Sequence, residues 1–292
     1  MSRPFLDRSN DRRLPPDYRG DVLLWDIDKT YLDTHFSSLR GLAAIPFEWA
    51  HDKAPVPGAI PLLRGLRRGA GPTPAATPLY FVSGSPPSLR GVIERRMLLD
   101  GVDFDGVTFK DQLGLLRALR PADLKRQVGY KLLALLLYRA ELPPGARWLL
   151  FGDDVEQDYE VFLLFGEVCA GLRGGALDSR LRAHKVHAHD RALCLEAASA
   201  LAPAEDPVEA VFIHQVRGRP SAELSDPRCV ASPTYLSAAL SLWHQGKLPG
   251  DSLAAVADAV LAAGVPRQTV DDELEATCGR LGLSLPDELL GS

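Results

Sequence analysis

Cysteine is scarce in this sequence: only Cys169, Cys194, Cys229 and Cys278 occur, all far apart. No Cys-x-x-Cys pair exists, so neither a zinc site nor a disulfide framework is indicated. A basic excess is lacking too. Lys and Arg number 33 against 38 Asp and Glu, a formal net charge of −5. That balance excludes a global basic field suited to nucleic acid or an anionic membrane surface. The arginines of Arg64-Gly65-Leu66-Arg67-Arg68 and Glu94-Arg95-Arg96 read as solvated helix faces. Long apolar runs are absent: the densest, Leu132 to Leu137, is far too short to span a bilayer. The stretch Met1 to Arg8 has no apolar h-region. A cytoplasmic protein with no transmembrane segment is expected. With 46% hydrophobic and 24% charged residues, a chain of 292 can bury a full core in one large domain or two.

What is present is a set of short apolar runs that end in polar residues. Val22-Leu23-Leu24-Trp25 runs into Asp26-Ile27-Asp28-Lys29-Thr30. Leu79-Tyr80-Phe81-Val82 ends in Ser83-Gly84-Ser85, and Trp148-Leu149-Leu150-Phe151 ends in Gly152-Asp153-Asp154. Continuous apolar runs of this length are expected of parallel strands covered on both faces. Weaker strands are predicted over 104–109 and 208–216, and an edge strand near Val168. Helical patterns fall over 35–44, 46–51, 58–68, 88–99, 123–140 and 176–203. Strands alternating with helices predict an α/β fold with a doubly wound parallel sheet. Residues 1–20 read as a polar arm, 21–217 as the core with a small cap segment over 31–79, and 218–292 as a helical appendage.

Three strand ends thus carry Asp26 and Asp28, Ser83, and Asp153, Asp154 and Asp158, with Lys131 on the helix before the third strand. Carboxylates at the carboxyl edge of a parallel sheet form an oxygen-rich site suited to Mg²⁺. A carboxylate can also attack phosphorus, and the transferring phosphoryl group then needs cations and hydrogen-bond donors. His184, His187 and His189 have poor spacing for one metal site and read as a solvated helix end.

Asp26-Ile27-Asp28-Lys29-Thr30, then Ser83, then Lys131, then Gly152-Asp153 through Asp158 resembles the four ordered motifs of haloacid dehalogenase-like (HAD) phosphatases. Within that superfamily, Tyr80 to Pro86, Phe104 to Lys110 and Val211-Phe212-Ile213 resemble the actin-patch type of phosphatidate phosphatase and its uncharacterised bacterial relatives. The resemblance covers about residues 22–170 and not the stretch after 218.

It implies a HAD-like core with small caps, in which Asp26 is the nucleophile and Asp28 the general acid/base, its carbonyl helping to bind Mg²⁺. It further implies that Thr30 steadies the turn, Ser83 holds a phosphoryl oxygen and Lys131 compensates charge. Asp153 would ligate the metal, with Asp158 and Asp154 as further acidic members. Lys110 and Lys125 compete with Lys131 for the lysine role. The implied activity is Mg²⁺-dependent hydrolysis of a phosphomonoester through an aspartyl-phosphate. Small caps suggest an open site and a bulky phosphorylated substrate, a lipid or a protein. A phosphotransferase would share the intermediate. The reading from another class is a silent scaffold that senses phosphate and binds a partner through its helical tail. A receiver domain fits poorly, because no aspartate ends the Leu79–Val82 run.

Overall fold

The computed structural model describes residues 5–32, 54–284 and 289, apart from the side chains of Lys125 and Ser221. The helices expected over 35–44 and 46–51 lie outside the described residues, as does the 33–53 part of the expected cap segment. Among the described residues seven strands form one sheet: β1 (Leu6–Arg8), β2 (Asp21–Asp26), β3 (Leu79–Ser83), β4 (Gly106–Lys110), β5 (Arg147–Asp153), β6 (Val208–His214) and β7 (Cys229–Ser232). Their spatial order is β1-β4-β3-β2-β5-β6-β7. All neighbours pair in parallel except β1, which runs antiparallel along β4. The polar arm therefore closes one sheet edge, where its charged residues suit an exposed strand.

The helices are α1 (Ala59–Arg68), α2 (Arg90–Leu99), α3 (Gln112–Arg117), α4 (Val128–Glu141) and α5 (Asp158–Cys169). Then follow α6 (Gly174–Ala183), α7 (Ala188–Ala200), α8 (Leu236–His244), α9 (Gly250–Ala262) and α10 (Arg267–Leu281). Val168 lies in the last turn of α5, not in the edge strand expected there. The 176–203 pattern is two helices, separated near Lys185, which takes a left-handed φ of 56°.

Strand alternation splits the core into two layers. Leu23, Trp25, Phe81, Phe151 and Phe212 face α1, α2 and the helices α8, α9 and α10. Val22, Leu24, Val82, Leu150 and Val211 face α4, α5, α6 and α7. Covering both faces explains why the strands read as unbroken apolar runs.

The stretch after 218 differs from the expected helical appendage. It adds β7 to the sheet edge and, with α1 and α2, covers one face, where Trp25 lies 5.3 Å from Tyr235 between ring centroids. The four residues of β7 are too short to stand out as a strand in sequence. Among the described residues no helix is long and apolar enough to cross a membrane.

Candidate active site

From β2 the chain builds β3 and β4 on one side, then crosses back to build β5, β6 and β7 on the other. This reversal places a crevice at the carboxyl ends of β2 and β5, where open α/β sheets bind ligands. Asp26 ends β2 and Asp153 ends β5. Asp26 shares the face of Leu24 by the two-residue period, and so points toward α4. There Lys131 Nζ lies 2.9 Å from Asp26 Oδ1 and 3.2 Å from Glu156 Oε2, and it also donates to Asp158 Oδ1.

Carboxylate oxygens of Asp26, Asp153 and Asp158 all lie within 4.8 Å of one another, a group that could hold a metal ion. Asp26 is 1% exposed, Lys131 2%, and Asp153 and Asp158 not at all. Behind them, Leu24, Val82, Leu135 and Phe162 leave no void large enough for water. Such dry walls strengthen every charge interaction inside.

The loops around these groups are held tightly. Asp153 Oδ1 accepts from the N–H groups of Val155 and Glu156, the latter at 2.9 Å. Asp158 Oδ2 accepts from Asp153 N–H at 3.1 Å, and this approach needs Gly152. A Cβ at Gly152 would sit 2.4 Å from that of Asp158. Lys29 and Gln157, one in each loop, take left-handed φ values of 63° and 64°. Such conformations in residues other than glycine persist only where surroundings enforce them. Lys29 Nζ and Glu156 Oε1, 3.6 Å apart, join the two loops.

Electrostatically the site is short of positive charge. Burial raises the Asp26 carboxyl well above the usual carboxylate range, with Lys131 opposing and Asp158, Glu156 and Asp153 reinforcing. Burial and the Asp158 charge push Asp153 up to about 8. Burial raises Asp158 as well. For Lys131, burial works against the ammonium, but Asp158, Asp26 and Glu156 together hold it well above the usual lysine range. Four carboxylates around Lys131, with Lys29 reaching only Glu156 at 3.6 Å, leave room for a dication. Asp153 Oδ2 is buried with no hydrogen-bond partner among the described residues. A buried carboxylate oxygen left so is costly, and a hard cation would satisfy it.

Each expected site residue has a definite place. Asp26, Asp153, Asp158 and Lys131 converge. Thr30 Oγ1 donates to Asp26 Oδ2 at 3.4 Å, a long contact. Asp28 stands apart from the three-carboxylate group, where Ser83 Oγ donates to its Oδ2 at 2.9 Å and Ser85 Oγ at 3.1 Å. The Ser83 hydroxyl, expected to face a phosphoryl oxygen, is thus directed to Asp28. Asp154 is not a member of the metal group. Its carboxylate accepts from the N–H groups of Val216 at 2.9 Å, Arg217 at 2.8 Å and Arg219 at 2.9 Å. Consecutive residues leaving a strand point to opposite sides, so the doubled acid divides between two tasks.

Lys110 is held by main-chain carbonyls and forms no ion pair with the carboxylate group among the described residues. Its Nζ donates to the carbonyls of Asp123 at 2.6 Å, Leu124 at 3.2 Å and Arg126 at 2.5 Å. Burial draws that ammonium down to about 8. The Lys125 side chain lies outside the described residues.

Three contributors escaped the sequence. Glu156 completes the carboxylate ring, and its position three residues past Asp153 was the available signal. His214 Nδ1 lies 2.7 Å from the Lys29 carbonyl, and Tyr235 Oη donates to the Thr30 carbonyl at 2.6 Å. No local pattern marks these two, because they reach the loop from β6 and from the stretch after 218. Tyr235→Phe strands a buried carbonyl, so it should destabilise the chain by about 1–2 kcal/mol, read from denaturant midpoints. An unchanged midpoint would show that the contact contributes nothing.

No known protein family, curated protein or solved structure matches this chain.

Proposed function

We propose that the chain is a Mg²⁺-dependent phosphomonoester hydrolase of HAD type, working through an aspartyl-phosphate on Asp26. The observation that carries this reading is the convergence of Asp26, Asp153, Asp158 and Lys131 at the switch point of the sheet. Asp153, with its unpartnered Oδ2, would hold the ion together with Asp26 and Asp158. Bound Mg²⁺ would neutralise phosphoryl charge and let neighbouring carboxylates stay ionised.

The chain's own residues supply the remaining chemistry. Lys131 fixes the Asp26 carboxylate and offsets charge that builds on the phosphoryl oxygens. An Asp26 oxygen forms a bond to phosphorus as the ester P–O bond breaks. Asp28, steadied by Ser83 and Ser85, gives its proton to the departing alkoxide. Asp28 then takes a proton from the water that attacks the aspartyl-phosphate, which releases inorganic phosphate and restores Asp26. The test is phosphate release from a panel of phosphomonoesters with Mg²⁺, run beside Asp26→Asn. If no ester gives Asp26-dependent release, the reading is wrong.

The same geometry sets a pH dependence. Asp153 binds its proton more tightly folded than unfolded, since burial holds it near 8 against an ordinary value of 3.8. Its protonation therefore stabilises the metal-free fold at low pH, and that contribution is lost as pH rises through about 8. The metal needs the ionised form, so Mg²⁺ affinity should rise roughly tenfold per pH unit up to that point. Titration calorimetry at several pH values between 6 and 9 checks this. A Mg²⁺ affinity independent of pH would remove Asp153 from the site.

A further inference from the structure

Beside the reactive carboxylates lies a second polar feature that the reaction above does not use. Gln127, Tyr130 and Lys131 fall three and four residues apart at the start of α4, so their side chains share one helix face. Lys131 reaches Asp26. The other two reach the loop after β3, where Gly84 lies between Ser83 and Ser85, the pair that holds Asp28.

A Cβ built on Gly84 would stand 3.1 Å from Gln127 Nε2, 3.2 Å from Gln127 Oε1 and 3.3 Å from Tyr130 Oη. The glycine therefore lets two polar groups close onto the loop. Yet neither is satisfied there. Tyr130 is only 7% exposed, and its buried hydroxyl has no hydrogen-bond partner among the described residues. The buried Oε1 of Gln127 has none either. Gln112 Nε2 already donates to the Gly84 carbonyl at 2.7 Å, so that acceptor is engaged elsewhere. Two unsatisfied polar groups, side by side and next to the reacting carboxylates, cost stability unless a ligand completes them.

We infer that Gln127 and Tyr130 form a subsite for the leaving group, and that it takes a hydroxyl of the substrate's alcohol next to the phosphoester. This rests on the phosphatase reading. The chemistry follows from what the two groups offer. An amide presents an NH2 donor group and a carbonyl acceptor whichever way it is turned, and a phenol can do either. A phosphoryl oxygen only accepts, and would leave the amide oxygen unpaired. A neighbouring alcohol hydroxyl both donates and accepts, and satisfies the pair. Position agrees: Asp28 must protonate the leaving oxygen, and the subsite lies on the loop whose serines hold Asp28. Preferred substrates are therefore phosphomonoesters of polyols or sugars over those of simple alkyl alcohols.

The experiment compares kcat/KM of the full chain with Mg²⁺ for glycerol 3-phosphate and n-propyl phosphate, with 4-nitrophenyl phosphate as reference. The expected preference for the glycerol ester is about 10- to 100-fold, the yield of one or two hydrogen bonds made in place of unpaired groups. Tyr130→Phe and Gln127→Leu should each bring the ratio toward one. Tyr130→Phe should also melt no lower than the wild type, because the hydroxyl it removes has no partner to lose. Asp26-dependent turnover of the nitrophenyl ester with no preference for glycerol 3-phosphate overturns the subsite alone. A preference that survives in both variants overturns it too. Absence of Asp26-dependent turnover with every ester sinks the phosphatase reading and the subsite with it.

Discussion

Asp26→Asn is expected to abolish phosphate release, by about four to six orders of magnitude, as removal of a covalent nucleophile does. The carboxylate ends β2 in a dry, fully covered position, with Lys131 at 2.9 Å. An amide of the same shape can be held there, but it cannot donate an electron pair to phosphorus in the same way. The loss should come without unfolding. Burial is the largest influence on Asp26 and works against its charged form, more than Lys131 works for it. Removing that charge relieves repulsion from Asp158, Glu156 and Asp153. The metal-free variant should therefore melt at or above the wild-type temperature, while its Mg²⁺ affinity falls. Calorimetric melting beside a phosphate-release assay reads both. Full activity in the variant would end the nucleophile assignment; a large drop in melting temperature would mean that Asp26 is chiefly structural.

Lys131→Met should have the largest effect on stability. Methionine follows the path of the lysine stem, so packing in α4 is nearly kept. What disappears is the ammonium that pairs with Asp26, Asp158 and Glu156, all buried or nearly so. Breaking a buried ion pair from one side costs about 3–5 kcal/mol, since the partner charges are left uncompensated. The sign with pH is specific. Without the ammonium these carboxylates take up protons more readily in the folded state, so the deficit should shrink as the solution is acidified. Added Mg²⁺ should recover part of it by supplying the missing positive charge. Denaturant unfolding at pH 8 and pH 5.5, with and without Mg²⁺, measures this. A variant as stable as wild type at pH 8 would show that the ammonium is not what balances the site.

Much of the architecture was legible in the residues. Val22–Trp25, Leu79–Val82 and Trp148–Phe151 are strands because unbroken apolar runs of that length need cover on both faces, and the layers on each side supply it. The terminal acids were legible for the same reason: polar residues that break such a run mark the sheet's carboxyl edge, and Asp26 and Asp153 stand there. The tail was less legible. Its helices were visible, but β7 is four residues long, and nothing local shows that α8, α9 and α10 cover the Trp25 face.

The sequence by itself determined that β2 to β6 form, in what order their polar ends follow, and that several carboxylates gather at one edge with a lysine nearby. Only the tertiary structure decided which of them meet. Lys110 and Lys131 are alike in sequence, but three carbonyls of the turn before α4 capture Lys110, and the helix axis aims Lys131 at Asp26. Asp153 and Asp154 are adjacent, but strand alternation sends one to the carboxylate group and the other to the loop after β6. Glu156, His214 and Tyr235 join through packing between distant segments. Spacing along a chain sets which face a side chain takes within its own element. Which groups face each other depends on how elements are laid side by side, and burial makes that choice.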